Sequence, residues 1–204
     1  YVALDNHKFG DLSPYLLKST NRGRSWTSIA GNIPDRTLVW RLVQDHEEPN
    51  LLFAATEFGI YFTLDGGDQW VKLTGGVPTI SFRDLAIQRR ENDLVGASFG
   101  RSFFIFDDYS VLREVSEEKL EQQGALFSTR DPWWYGPRNL VSSQGAAYYA
   151  APNPPYGAVF TYHLAEGLTT LRAEREKQEK ELLEAGEPVT FPGWETLEAE
   201  RRQP

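Results

Sequence analysis

From residue 1 to about residue 115 the chain alternates short apolar runs with clusters of Asn, Asp, Gly and Pro. Ten runs have strand length and make-up: residues 1–5 (YVALD), 15–20 (YLLKST), 25–30 (SWTSIA), 38–45 (LVWRLVQD), 51–56 (LLFAAT), 59–64 (GIYFTL), 69–73 (QWVKL), 82–88 (FRDLAIQ), 93–98 (DLVGAS) and 101–107 (RSFFIFD). Aromatic and β-branched side chains fit a pleated, half-buried surface, and the polar clusters between them supply turns. The pattern predicts an all-β region. From about 116 to 155 the text changes. SEEKLEQQ suits one or two helical turns, while FSTRDPWWYGPRNL and YYAAPNPPYG combine Pro, Gly and aromatics as an ordered crossing segment does. AVFTYHL (158–164) is one further strand. Beyond it a mostly polar helix is expected over 168–186, stopped by Gly186 and Pro188, with a second short helix from near Pro192.

The runs repeat at a longer period. STNRGRSW (19–26) and TLDGGDQW (63–70) align as S/T-x-D/N-x-G-x-x-W, with Trp26 and Trp70 44 residues apart. That spacing is in the range of a four-stranded propeller blade. A third unit is traced by DLVGASFGRSFFIFDD (93–108), which echoes LLFAATEFGIYFTLD, with Phe99-Gly100 matching Phe58-Gly59 and Asp107-Asp108 in place of the turn motif.

The repeated motif resembles the Asp-box, or BNR repeat, of sialidases, of some xyloglucan-active hydrolases and of the sortilin propellers. ASFGRSFFIFDDYSVLREV, RDPWWYGPR, APNPPYGAVFTYHL and FPGWETLEAE, in that order, are similar to the C-terminal part of large secreted bacterial proteins called sortilin-like or BNR-repeat glycosyl hydrolases. The resemblance covers nearly the whole chain and implies a piece of a longer protein. The expected architecture is all-β: the last blades of a propeller (1–115), an aromatic and Pro-rich crossing segment (116–155), then the start of an immunoglobulin-like β-sandwich carrying a helical insertion (156–204). It also implies a secreted, periplasmic or cell-surface location.

Charge and composition narrow the partners. There are 29 acidic against 21 basic residues among 204, a net charge of -8, which works against nucleic acid or an anionic membrane surface. No run reaches the ~18 apolar residues of a membrane-spanning helix. Cysteine is absent, which removes disulfides and thiolate metal sites. His7, His46 and His163 are isolated from ligand-spaced partners, so neither a metal nor a cofactor is expected.

The two copies of the turn motif also assign its role. Asn21 stands where the other copy has Asp65, and Arg24 where it has Asp68. An amide keeps the acceptor oxygen but cannot act as a general acid or base. Ser19, Asn21, Gly23 and Trp26, with Thr63, Asp65, Gly67 and Trp70, are therefore expected to staple the fold. Catalytic acids would have to come from Asp5, Asp45, Glu57, Asp84 or Asp107; Glu57 stands out because it lies in a turn leading toward the second motif. Arg41, Arg83 and Arg101 could mimic the arginine cluster of a sialidase. The WWY at 133–135 reads either as buried at a domain junction or as a sugar-stacking platform, and Arg101, Trp133 and Trp134 are the candidate ligand contacts. The expectation is a non-catalytic scaffold binding a protein, peptide or glycan; the alternative is part of a secreted glycoside hydrolase with its catalytic acids mainly outside this segment.

Two or three blades leave sheet faces uncovered, so further blades of the same or another chain are expected to complete the ring. Residues 1–204 expressed alone should self-associate or stay partly unfolded. A monomeric species with one cooperative melting transition would contradict this.

Overall fold

The structure is a computed structural model that describes residues 1–134, 136, 155–167 and 169–202. It is mostly β. Most of the expected crossing segment, including Tyr135 and residues 137–154, lies outside the described residues, as does Leu168 at the expected start of the long helix. The chain divides into two compact units, residues 1–116 with 126–161, and residues 117–125 with 162–204.

In the first unit all ten expected runs form strands, each in an antiparallel sheet whose strands follow chain order. β1 (Val2–Asn6), β2 (Asp11–Lys18) and β3 (Thr27–Ser28) make the first sheet. β4 (Val39–Gln44), β5 (Leu52–Thr56), β6 (Gly59–Thr63) and β7 (Val71–Lys72) make the second. β8 (Phe82–Gln88), β9 (Asp93–Ser98) and β10 (Phe103–Phe106) make the third. The opening strands β1, β4 and β8 lie side by side, and Arg41 of β4 reaches Asp84 of β8 at 3.2 Å.

The pleat explains the order of the layers. Along β5 and the residue before it, Leu51, Phe53 and Ala55 point into a core shared with Phe82, Leu85, Leu94 and Tyr109 of the third sheet region. Leu52 and Ala54 point the other way, into a core shared with Leu16, Ile29 and Ile33. Successive strand residues face opposite sides of a sheet, so a strand buried along its whole length needs cover on both faces. The second sheet has that cover. The third does not: on β10, Phe104 and Phe106 pack inward, with Phe82 and Phe104 edge to face at 5.5 Å, while Phe103 and Ile105 point out exposed.

A short 3-10 turn at Tyr109–Arg113, absent from the sequence expectation, fastens the third sheet back onto the second. The Tyr109 hydroxyl donates to Asp45 Oδ1 at 2.6 Å, and its ring meets Phe53 edge to face at 5.0 Å. Arg113 donates to both Asp45 oxygens at 2.8 and 2.9 Å, and also reaches Asn92 and Glu47. Two backbone N–H groups, of Glu47 and Glu48, complete the shell of Asp45. Burial pushes the Asp45 carboxyl pKa up, but Arg113, Tyr109 and these amides outweigh it and hold the group well below the usual carboxylate range.

The second unit holds a one-turn helix α1 (Glu117–Leu120), the paired strands β11 (Gly124–Leu126) and β12 (Tyr162–Leu164), and helices α2 (Leu171–Glu184) and α3 (Trp194–Arg202). The strand expected over 158–164 is thus shorter than its apolar run. Thr170 caps α2 by accepting from Ala173 N–H at 3.1 Å. α2 buries no residue, as its polar make-up implies, and meets α3 through Arg175, which pairs with Glu200 at 2.6 Å and with Glu179 at 2.5 Å.

Because Asp45 titrates lower in the folded chain than its ordinary value of 3.8, its contribution is complete above that value and is lost as pH falls through the more acid range. Asp45→Ala should lower stability at pH 7 by about 3 kcal/mol, the low end for breaking a buried pair because Glu47 still faces Arg113. It should also flatten the acid dependence of unfolding measured by denaturant titration at pH 2 to 7.

Candidate functional site

The two repeated turns close by the same side-chain logic. In the second, Asp65 Oδ1 receives the Thr63 hydroxyl at 2.6 Å and the N–H groups of Asp68 and Gln69 at 2.9 and 3.0 Å. Thr63 Oγ1 in turn accepts from Gly67 N–H at 3.2 Å. Desolvation, which raises the Asp65 pKa, is outweighed by these donors, so the carboxyl lies below its ordinary value. In the first turn Ser19 Oγ accepts from Gly23 N–H at 2.7 Å, and Asn21 Oδ1 accepts from Ser25 N–H at 2.9 Å. The amide oxygen does the work of the carboxylate. Every donor on Asp65 comes from its own turn, which uses the group structurally.

The tryptophans ending the two motifs differ in environment. Trp70 is 3% exposed; its indole N–H donates to the carbonyl of Ile29 at 2.8 Å, and its backbone exchanges hydrogen bonds with the Asn32 side chain at 2.6 and 3.1 Å. The second turn thus docks on the segment that follows the first. The fit is close: a Cβ on Gly67, at φ 115°, would stand 2.7 Å from Ile29 Cβ, and one on Gly31 would stand 2.5 Å from the carbonyl oxygen of Asp68. Trp26 is 44% exposed. The sequence carried a signal for the receiving segment too, since WTSIAGNIP (26–34) and WVKLTGGVP (70–78) repeat as W-x-x-I/L-x-G-x-I/V-P.

Glu57 is engaged by donors. Its Oε2 accepts from Trp40 Nε1 at 3.0 Å and from the Ser81 hydroxyl at 3.1 Å, with Arg83 at 4.0 Å. Arg83 stacks on Trp40 at 3.8 Å and on Phe99 at 5.0 Å. Arg41 is paired with Asp84, and Arg101 is exposed in the turn before β10. The three arginines therefore take three separate roles. His7 contacts Asp5, His46 lies 3.4 Å from both Asp45 and Glu47, and His163 meets the Leu120 carbonyl at 3.1 Å. Among the described residues no group of three or more His, Asp or Glu side chains is placed to hold a metal ion.

The residues with open chemistry meet in a cleft of about 620 Å³ in the first unit, between the β8–β9 turn, the end of β10 and the segment around Trp133. This is within the size range of small-ligand sites. Arg130 anchors its wall, donating to the Glu91 carbonyl at 3.0 Å and to Glu91 Oε2 at 3.1 Å, with Asp108 at 3.5 Å. Trp133 Nε1–H donates to the same Glu91 oxygen at 2.9 Å, which fixes the ring while leaving it 62% exposed. That indole bond is the largest influence holding the Glu91 pKa below its ordinary value, with Arg90 and Arg130 adding to it. Trp134 is 94% exposed. Of the two readings of the Trp pair, the geometry has them open at the cleft, not buried. Asp107 also lines the cleft; desolvation, and then the Asp93 carboxylate, raise its pKa. The sequence flagged Asp107, Trp133 and Trp134 but missed Glu91, Asp93 and Arg130, because they converge from segments some 40 residues apart with no shared motif.

Comparisons of the chain with protein-family models, with curated proteins and with solved structures found no match.

Asp65→Asn should be tolerated better than Asp65→Ala, since the first turn already works with an amide; the alanine variant is expected to lose on the order of 1 kcal/mol. Trp70→Ala should cost about 3–5 kcal/mol by emptying a buried site, and Trp26→Ala under about 1 kcal/mol. Equilibrium unfolding of the four variants checks both contrasts.

Proposed function

We propose that the three sheets are consecutive blades of an Asp-box β-propeller and that this segment is a non-catalytic scaffold binding a protein, peptide or glycan in a secreted, periplasmic or cell-surface protein of sortilin-like type. Three features support the architecture: chain-order antiparallel sheets, adjacent opening strands, and a turn motif that recurs once per sheet in the first two. The outward Phe103 and Ile105 on β10 and the half-exposed Trp26 are then surfaces for further blades of the same or another chain. In a ring, each such face is covered by the next repeat.

The ligand-binding part rests on one observation: Trp133 is held in place by Glu91 with its ring exposed, beside the still more exposed Trp134, at a cleft. A large aromatic fixed by a hydrogen bond yet open to solvent offers binding area at little cost in side-chain freedom. Neither Asp65 nor Glu57 points to catalysis, because Asp65 is committed to its turn and Glu57 to Trp40 and Ser81.

A second reading, glycoside hydrolysis, draws on Asp107, whose raised carboxyl shares the cleft with Asp93; an acid and a second carboxylate are the usual pair for that chemistry. Binding without turnover separates the two. On peptide and oligosaccharide panels the chain should retain ligand, Trp134→Ala should weaken retention, and no polysaccharide should be cleaved. Cleavage abolished by Asp107→Asn or Glu57→Gln would establish the hydrolase instead.

A further inference from the structure

The hydrogen-bonding state of the cleft narrows its ligand. Its charged donors already face its own carboxylates: Arg90 pairs with Glu91 at 2.8 Å, Arg130 pairs with Glu91 and Asp108, and the Trp133 N–H donates to Glu91. Asp93 Oδ1 accepts from Asp108 N–H at 3.0 Å, but among the described residues the Asp107 carboxylate has no hydrogen-bond donor. Acceptors are left over, and among the described residues four carboxylates stand against two guanidiniums in the lining. The excess of carboxylates favours a cation over a neutral sugar, and an anion would be repelled. A ligand that only donates, and carries positive charge, fits both the leftover acceptors and the exposed faces of Trp133 and Trp134.

From this charge and donor complementarity we propose that the cleft binds a lysine side chain of a basic peptide, its ammonium between Asp107 and Asp93 and its alkyl stem against Trp134. The lysine ammonium has three donors and no acceptor, and its apolar stem can cover an aromatic face. It would also relieve the repulsion between Asp93 and Asp107. The inference deepens the ligand-binding reading above and rests on it.

The test uses the 204-residue chain, under conditions where circular dichroism shows its β fold whatever its state of association, and a six-residue lysine peptide as probe. Isothermal titration should show binding that weakens at least tenfold when every lysine is Nε-acetylated, and several-fold in Asp107→Asn and in Trp134→Ala. Both positions are exposed, so these variants should keep the fold. Glu181→Gln removes the same charge from the second unit and should leave affinity unchanged; equal weakening there would mean diffuse attraction to an acidic chain and overturn the proposal. Equal binding of the acetylated peptide, or binding of cellohexaose in place of the lysine peptide, overturns the cation assignment while leaving the cleft a ligand site. Failure to bind any of the three probes or any member of the peptide and oligosaccharide panels overturns the ligand-binding reading with it.

Discussion

Neighbouring sheets of this protein are joined by one device used twice: an aromatic ring buried at the seam whose polar tip donates a hydrogen bond to the sheet before it. Trp70 donates to the Ile29 carbonyl, and Tyr109 donates to the Asp45 carboxylate. The ring supplies apolar burial, and the tip fixes register, since a buried donor left unpaired costs roughly 1–3 kcal/mol. Everything else at the seams follows. Gly67 and Gly31 let two backbones approach where a Cβ would collide, Asn32 secures the Trp70 backbone, and Arg113 neutralises the carboxylate that Tyr109 needs as a partner.

The two seams differ in chemistry, and so in sensitivity to conditions. The first has a neutral donor, a backbone acceptor and an amide clamp, so no titratable group takes part in the contact itself, although Asp65 holds the turn that presents Trp70. The second depends on an ionised Asp45, held in that state by Arg113 and by hydrogen bonds that exceed the cost of burial. Acid that protonates Asp45 therefore weakens the attachment of the third sheet. The cleft with Trp133 and Glu91 is built at the turn between β8 and β9 and at the end of β10, so the same attachment carries the candidate site.

The sequence made the strands and the turn staple legible because both are local. Period-two apolar runs mark strands directly, and comparing Asn21 with Asp65 assigned the turn its structural role without coordinates. Trp70 was placed in the staple, but its acceptor was not, because a backbone carbonyl has no side-chain signature. The repeat W-x-x-I/L-x-G-x-I/V-P would have marked the receiving segment. The Tyr109 seam was hidden for another reason: the third unit replaces the motif with Asp107-Asp108, and Asp45 lies 64 residues before Tyr109 and 68 before Arg113. The cleft was half legible. Its tryptophans stand out in any reading, but the contacts that orient them come from Glu91, an ordinary glutamate in a polar turn.

The seam device is tested most directly by hydrogen exchange at the individual tryptophan indole N–H groups, followed by NMR under native conditions. If aromatic tips lock each sheet to the one before it, the Trp70 indole proton should exchange only through large-scale unfolding, while that of Trp26, half-exposed and with no indole hydrogen bond among the described residues, should exchange nearly as fast as in a free peptide. Comparable protection of the two, or rapid exchange at Trp70, would contradict the account.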